Sequence, residues 1–346
     1  MKTKNPILYL SVLLSLFFVS CKKDKSGETQ LPKKLYLLTE EEVNNSGRYA
    51  GKYYTDGIPG VFADGISFEA RPFDMAVAGQ DVFVLTWKWP VYTGTGDYGV
   101  YRNGTLVQSF PDSRDFFPVC ITTKGNDYYV GGIMQNTTTG KQIVRYWHNG
   151  TFTNITPDTS IAYCSKLVFN GNDLYAAGAS GVTDGGRTPA YWKNGSKVVL
   201  PLLPGQTRGE ILDFTVSGSN VYATGKCGNK PCYWVNNTVT ELVSPMNRGE
   251  ANGILVSGSD VFVSGYIQNS SGYQAVYWKN GTRNELTTTM ADAAAYDIAL
   301  DGTDIYVAGY SSTDGNVYDA VYWKNGTAQT LTSGGNNGEV KKILFQ

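Results

Sequence analysis

One histidine, His148, in 346 residues leaves the chain without the imidazoles that most hydrolytic machinery uses. Ser-His-Asp and Cys-His arrangements and any multi-histidine zinc site are excluded on that ground, because His148 itself reads as an exposed turn residue. Neither sign of charge is in excess: 29 basic and 30 acidic side chains give a formal net charge of −1. The basic face that nucleic acid asks for is therefore missing. No glycine-rich loop follows a strand and opens a helix, so a phosphate cradle is missing too, and no cofactor is implied. Runs of helix-forming residues are scarce. The one long apolar run, Pro6 to Val19, is 14 residues, short for a membrane span and suited to the hydrophobic region of a secretory signal.

What is present is a repeat. YWKNGT occurs at Tyr277–Thr282 and Tyr322–Thr327, YWKNGS at Tyr191–Ser196 and YWHNGT at Tyr146–Thr151, with weaker copies at Val100–Thr105 and Tyr233–Thr238. Asn-Gly tolerates φ > 0 at both central positions and so joins antiparallel strands by a two-residue turn. Taking Gly104, Gly150, Gly195, Asn237, Gly281 and Gly326 as markers, the intervals are 46, 45, 42, 44 and 45 residues. Between the markers runs a second signature, a Gly-x-Asp turn followed by an alternating apolar strand, as in GSDVFVSGY at Gly258–Tyr266 and GTDIYVAGY at Gly302–Tyr310. One unit thus reads as four strands, A to D, and four antiparallel strands at this period predict a β-propeller blade. Trp147, Trp192, Trp234, Trp278 and Trp323 recur once per unit and read as packing between sheets.

The two ends of the chain supply one more unit. LYLLTE, beginning at Leu35, fits strand B, and GKYYTDGIPGVF up to Phe62 fits strands C and D, with no strand A before them. GEVKKILF at Gly338–Phe345 matches the strand A segment GEANGILV at Gly249–Val256. Pairing these predicts an all-β, seven-bladed propeller, closed by C-terminal strand A on N-terminal strands B–D, over residues 34–346. The A-x-YWKNG unit is similar to HAF-type extracellular repeats of bacterial secreted proteins of unassigned function, and the layout resembles kelch blades, although only Gly131-Gly132 supplies a double glycine. The Gly-His and Trp-Asp marks of WD repeats and the Asp-box of sialidases are missing, which weakens any transfer of function from those families.

Residues 1–20 read as a signal peptide, and FVSC ending at Cys21 resembles a bacterial lipobox, with Phe18 where the family usually has Leu. The resemblance implies a lipidated Cys21 as mature first residue, and residues 21–33 look like the polar tether of a lipoprotein from Bacteroidota-type bacteria. It implies an outer-membrane lipoprotein on the periplasmic or cell-surface face, touching the membrane only through its lipid, and monomeric. Cys227 and Cys232 flank GNKP on opposite arms of a tight hairpin, where a disulfide fits an oxidising compartment. A Cys-x4-Cys metal site would need two further ligands, which the sequence does not offer nearby. Cys120 and Cys164 fall near the same position of successive units, either meeting on neighbouring strands or standing as buried thiols.

Candidate functional positions are those that break the repeat. Trp87, Trp89, Tyr92 and Tyr98 lie in what reads as a long B–C loop of the first unit, either a ligand platform or a cover for its own apolar surface. Eight residues before the A–B turn glycine come Arg71, Phe117, Tyr163, Glu210, Glu250 and Ala294, with Glu339 from the C-terminal match. Two residues earlier come Glu69, Asp115, Ile161, Arg208, Arg248, Asp292 and Asn337. Loops feeding the innermost strands form one mouth of a propeller channel, so Glu69, Arg71, Asp115, Tyr163, Arg208, Glu210, Arg248, Glu250, Asp292 and Glu339 are expected at one entrance. Arginines there can fork onto a carboxylate and glutamates can accept sugar hydroxyls. The bland alternative is an ion-pair ring in which Arg208 neutralises Glu210 and Arg248 neutralises Glu250. The expected role is binding of a glycan or an envelope protein at that mouth, with no catalytic residue assigned. A lyase or hydrolase acting on acidic polysaccharide through Arg71, Tyr163, Glu210 and Glu250 is the alternative, and a structural envelope component the third.

Overall fold

The computed structural model of the chain describes residues 33–91, 95–111, 115–157, 161–181, 186–246, 248–270, 272–287, 292–332 and 335–346. Cys21 and the segments read as signal peptide and tether, up to residue 32, lie outside the described residues, as does Tyr92. The described residues form 28 strands, and none of them lies in a helix that could cross a membrane. The strands make five sheets of four strands and one of eight. The eight-stranded sheet is two four-stranded repeats, 117–154 and 161–199, joined by a single parallel bridge between Gln142 and Ile161. The other repeats span 68–111, 209–241, 249–285 and 292–330.

The two ends of the chain build one sheet, in the order Gly338–Phe345, Leu35–Glu42, Tyr49–Thr55, Ile58–Ala63. Leu35 pairs with Phe345 and Glu40 with Glu339, antiparallel. The first strand of each repeat touches the first strand of the next along the chain, the last touches Gly338–Phe345, and that strand touches Phe68–Ala78.

Two local rules in the sequence account for this. Asn103, Asn149, Asn194, Asn236, Asn280 and Asn325 all hold φ between +46° and +51°, the conformation that the Asn-Gly and Asn-Asn turns were expected to supply. The repeat tryptophans are buried between neighbouring sheets, and Trp234 also donates its indole N–H to the Pro201 carbonyl at 2.8 Å. Each removes about 150–250 Å² from water, a gross gain of roughly 4–6 kcal/mol.

A third rule concerns the first strand of every repeat. Its register slips by one residue, at Phe73, Val119, Ser165, Leu212, Asn252 and Tyr296, and again at Lys341 in the terminal sheet. A bulge bends the strand and re-aims the side chains around it. It also presses the carbonyl two residues before the slipped one against the second strand. A Cβ on Gly265 would collide with the Glu250 carbonyl oxygen, and one on Gly225 with that of Glu210. The recurring glycine near the end of the second strand is therefore the partner of the bulge.

Candidate functional site

The seven positions counted back from the turn glycines do occupy one level of the structure. In each sheet that residue pairs with the last residue of the second-strand motif: Arg71 with Trp87, Phe117 with Ile133, Tyr163 with Ala179 and Glu210 with Lys226. Glu250 pairs with Tyr266, Ala294 with Tyr310, and Glu339 with Glu40. The partner level varies as much as the first: Trp, Ile, Ala, Lys, Tyr, Tyr and Glu end otherwise similar strands. It was open to the same comparison of repeats, and counting only the first strands missed it.

The pairing of charges differs from the ion-pair ring expected from the sequence. Lys226 reaches both glutamates, lying 3.3 Å from Glu210 and in a short contact with Glu250. Burial disfavours its ammonium, but the two carboxylates outweigh that and raise its pKa. Arg187 stands 3.9 Å from Glu210 and lies over the Tyr163 ring, 4.2 Å from its centroid. Arg208 and Arg248 are exposed and have no carboxylate within 4.0 Å among the described residues; Arg248 reaches only the Gln268 amide oxygen, at 3.5 Å. Adjacency in sequence did not decide this: Arg208 and Arg248 precede their strands, while Lys226 sits directly across from Glu210 and also reaches Glu250 of the next repeat.

Three cavities open at this level. One is lined by Arg187, Arg208, Glu210, Lys226 and Asn229, and a second by Lys226, Asn229, Arg248, Glu250, Tyr266 and Tyr273. The third is about 620 Å³ and is lined by Glu40, Tyr49, Arg71, Tyr318, Glu339 and Lys341 among others. There Glu40 and Glu339 face each other across the strand pair, an unfavourable placement offset by Lys341, which is 3.7 Å from Glu40 and in short contact with Glu339. Arg71 lies 3.7 Å from Glu40. Burial pushes the Glu40 carboxyl up, and Glu339 adds to it against the opposing pull of Lys341 and Arg71.

The remaining candidates do not line these cavities. Glu69 accepts the Tyr49 backbone N–H at 3.4 Å, the Asp115 carbonyl accepts from Arg145 at 3.1 Å, and Asp292 accepts from the Tyr318 hydroxyl at 3.3 Å. Trp87 and Trp89 are not in a loop. They lie on the strand Asp81–Pro90, because the alternation of VFVLTWKWP simply carries the strand on, and Trp89 pairs with Glu69. Trp87 packs edge-on to Tyr98 at 4.6 Å, so its ring covers its own sheet.

Further along the first strands the slipped residues and their neighbours line a small charged space. Asp74, Asp213 and Asp297 are buried, and each accepts a backbone N–H from the first strand of the next sheet, at Ile121, Ile254 and Ile343. Lys166 lies 3.5 Å from Asp74 and 3.8 Å from Asp213, while Lys342 lies 3.2 Å from Asp297 and 3.9 Å from Asp74. These carboxylates tie the strands together and are occupied in doing so. No cluster of metal-ligating side chains occurs among the described residues.

The opposite ends of the strands carry the motifs that looked most like a signature. Lys193, Lys279 and Lys324 pair with Asp173, Asp260 and Asp304 of the Gly-x-Asp turns at 2.7–3.0 Å. The turn asparagine donates its amide to the same aspartate and accepts the next backbone N–H, as Asn280 does with Asp260 and Val261. His148 takes the lysine's place, 3.1 Å from Asp127 and stacked on Tyr129 at 4.0 Å; it is half-buried rather than the exposed residue expected. Cys227 and Cys232 are buried free thiols 3.4 Å apart, and Cys120 and Cys164 meet at 4.0 Å.

No family model and no curated protein matches this sequence. Among solved structures, an acylaminoacyl peptidase in complex with Z-Gly-Gly-Phe-chloromethyl ketone aligns at TM-score 0.50 and 10% identity, over 86% of this chain and 51% of that one. The Pyrococcus horikoshii acylaminoacyl peptidase aligns at TM-score 0.51 and 11% identity, over 88% of this chain and 51% of that one. The β-propeller domain of the trilobed protease from Pyrococcus furiosus aligns at TM-score 0.38 and 8% identity, over 76% of this chain and 96% of that domain. The chain spans about half the length of the two acylaminoacyl peptidases. At these identities the likeness is one of fold: a β-propeller of repeated four-stranded sheets.

Proposed function

We propose that the protein is a lipid-anchored, extracytoplasmic propeller of seven blades that binds a glycan through its channel mouth. The unbroken succession of contacts between first strands, ending with Gly338–Phe345 against Phe68–Ala78, supports the seven-bladed closure. The observation that carries the binding reading is that Lys226 engages both Glu210 and Glu250 and leaves the Arg208 and Arg248 guanidiniums exposed, Arg208 beside the Asn229 amide and Arg248 beside Tyr266, Tyr273 and the Gln268 amide. Such a surface is ready to exchange water for hydroxyl and carboxylate oxygens without first breaking an ion pair. An envelope protein is the other partner class that fits a mouth of this kind. The test is a glycan-array screen of the full-length protein with mass spectrometry of the bound sugars. Binding without cleavage supports the reading, and failure to bind any glycan sinks it in favour of a protein partner. The lipid anchor is tested by mass spectrometry of the N-terminus, which should carry acyl chains on Cys21 and lose them in Cys21→Ala.

A polysaccharide hydrolase or lyase is the second reading, and Glu40 favours it: a carboxyl pushed up by burial, opposite Glu339, in the largest of the three cavities. Tyr163, covered by Arg187, and Glu210 and Glu250, held by Lys226, are less suited to acid–base work than their sequence positions promised. Cleavage of an array polysaccharide that is lost in Glu40→Gln would establish the enzyme.

A further inference from the structure

Repeats 209–241 and 249–285 are introduced by the same tripeptide, Arg208-Gly209-Glu210 and Arg248-Gly249-Glu250. The structure turns this duplication into two like cavities side by side, both walled by Lys226 and Asn229. Each arginine is held in the same way, its carbonyl accepting a backbone N–H at the far end of the second strand: from Gly228, in the turn just past it, for Arg208 at 2.8 Å and from Gln268 for Arg248 at 2.9 Å. Gly209 and Gly249 make that approach possible, since a Cβ on either would press on the carbonyl of the second strand, at Lys226 and Tyr266. The two guanidiniums therefore leave equivalent backbone positions in neighbouring repeats.

Within these two cavities Arg187, Arg208, Lys226 and Arg248 face only Glu210 and Glu250, an excess of cation in a chain whose formal net charge is −1. Both glutamates are turned onto Lys226, so the excess sits at the exposed arginines. A guanidinium is planar and takes a carboxylate through two parallel N–H bonds, and two alike in succession select a ligand whose carboxylates repeat. The second cavity adds an exposed aromatic, Tyr273, set edge-on to Tyr266 at 5.1 Å, together with the Asn229 and Gln268 amides. An exposed aromatic ring beside side-chain amides suits the C–H face and hydroxyls of a sugar ring better than an acidic peptide.

We infer that Arg208 and Arg248 form paired carboxylate subsites for an acidic polysaccharide, one uronic acid residue to each, with Lys226 and Asn229 as the shared wall. The inference rests on the reading of the mouth as a glycan-binding face and names the class of glycan. The experiment is calorimetric titration of the full-length protein in detergent with a hexamer of galacturonic acid. The fully methyl-esterified hexamer, galacturonic acid monomer, a neutral galactan hexamer and polyglutamate serve as comparators. The hexauronate should bind about a hundredfold more tightly than its methyl ester and at least about tenfold more tightly than the monomer, since each of the two charge-assisted pairs contributes on the order of a tenfold change in affinity. Arg208→Gln and Arg248→Gln should each lose about that factor, their effects should add up to the affinity of the ester in the double variant, and Arg208→Lys should restore part. Neither arginine is ion-paired among the described residues, so circular dichroism and melting should match the parent chain. Equal binding of the neutral hexamer, unaffected by either variant, overturns the uronate subsites while leaving the glycan reading intact. Equal binding of polyglutamate with the same sensitivity overturns the sugar class in favour of an acidic peptide. No binding to any glycan removes both readings together.

Discussion

The two ends of the same strands are built on opposite plans. At the turn end each repeat closes a clasp of its own: Lys279 and Asn280 hold Asp260, Lys324 and Asn325 hold Asp304, and Arg102 and Asn103 hold Asp81. Where one member changes its partner changes too, as in the fourth repeat, where Asn236 bonds Asn220 and Val235 stands in the lysine's place. At the other end pairs also cross from one repeat to the next: Lys226 serves a glutamate of its own repeat and one of its neighbour, and Glu40 is reached by Lys341 of its own sheet and by Arg71 of the next. A clasp satisfied within one hairpin can be copied indefinitely. A network shared between repeats lets each position differ, and that freedom is what a recognition surface draws on. The motif that recurs most faithfully is thus a structural fastening, and variation marks the surface available for function.

The largest effect is expected from Gly265→Ala, which sets a methyl group against the Glu250 carbonyl that the bulge presses inward. It should cost about 3 kcal/mol in urea unfolding, the upper range for overpacking a tight contact. A loss under about 0.5 kcal/mol would show that the mouth strands tolerate relaxation. Next comes Lys226→Ala, which removes the cation shared by two carboxylates, leaving Glu250 without one and Glu210 only Arg187, and should cost about 2 kcal/mol. If the mouth is a shared network, Glu210→Gln and Glu250→Gln should be non-additive in a double-mutant cycle, whereas Asp260→Asn and Asp304→Asn should add. Additivity at both ends would erase the distinction.

At the turn end Asn280→Ala should cost about 1 kcal/mol, since alanine would have to hold φ near +51° and Val261 N–H would lose its acceptor. The smallest effect concerns pH. The Glu40 pKa in the folded protein is raised above its ordinary value of 4.5, so the stability it contributes is complete below that value and is lost as pH rises through the raised one. Melting temperatures from pH 4 upward should therefore fall more in the parent chain than in Glu40→Gln. Parallel curves would mean that Lys341 and Arg71 fully compensate the buried carboxylate. Oxidation gives a separate check on the hairpin thiols: thiol titration after mild oxidation should find Cys227 and Cys232 lost as a pair, given their 3.4 Å contact.

Much of this was legible in the sequence because it is local. The Asn-Gly turns, the once-per-repeat tryptophans and the strand boundaries follow from φ preference, periodicity and apolar alternation within a few residues. The count back from the turn glycines also picked out equivalent register positions, since strands of equal length keep their register from the turn. The misreading of Trp87 and Trp89 as loop residues came from the same comparison: a strand longer than its counterparts looks like an insertion. The second-strand level, with Glu40, Lys226, Tyr266 and Tyr310, was equally available in the repeats but was not sought.

The sequence by itself therefore determined the repeat, the turns that delimit it, the buried tryptophans and the positions at which one repeat departs from another. Which charge meets which was decided only in three dimensions. Glu210 and Glu250 lie beside arginines along the chain, yet both pair with Lys226. Strand pairing and the bulges set those distances, and electrostatic attraction depends on distance through space rather than along the backbone. That choice left Arg208 and Arg248 exposed, and with them the surface on which the proposed function rests.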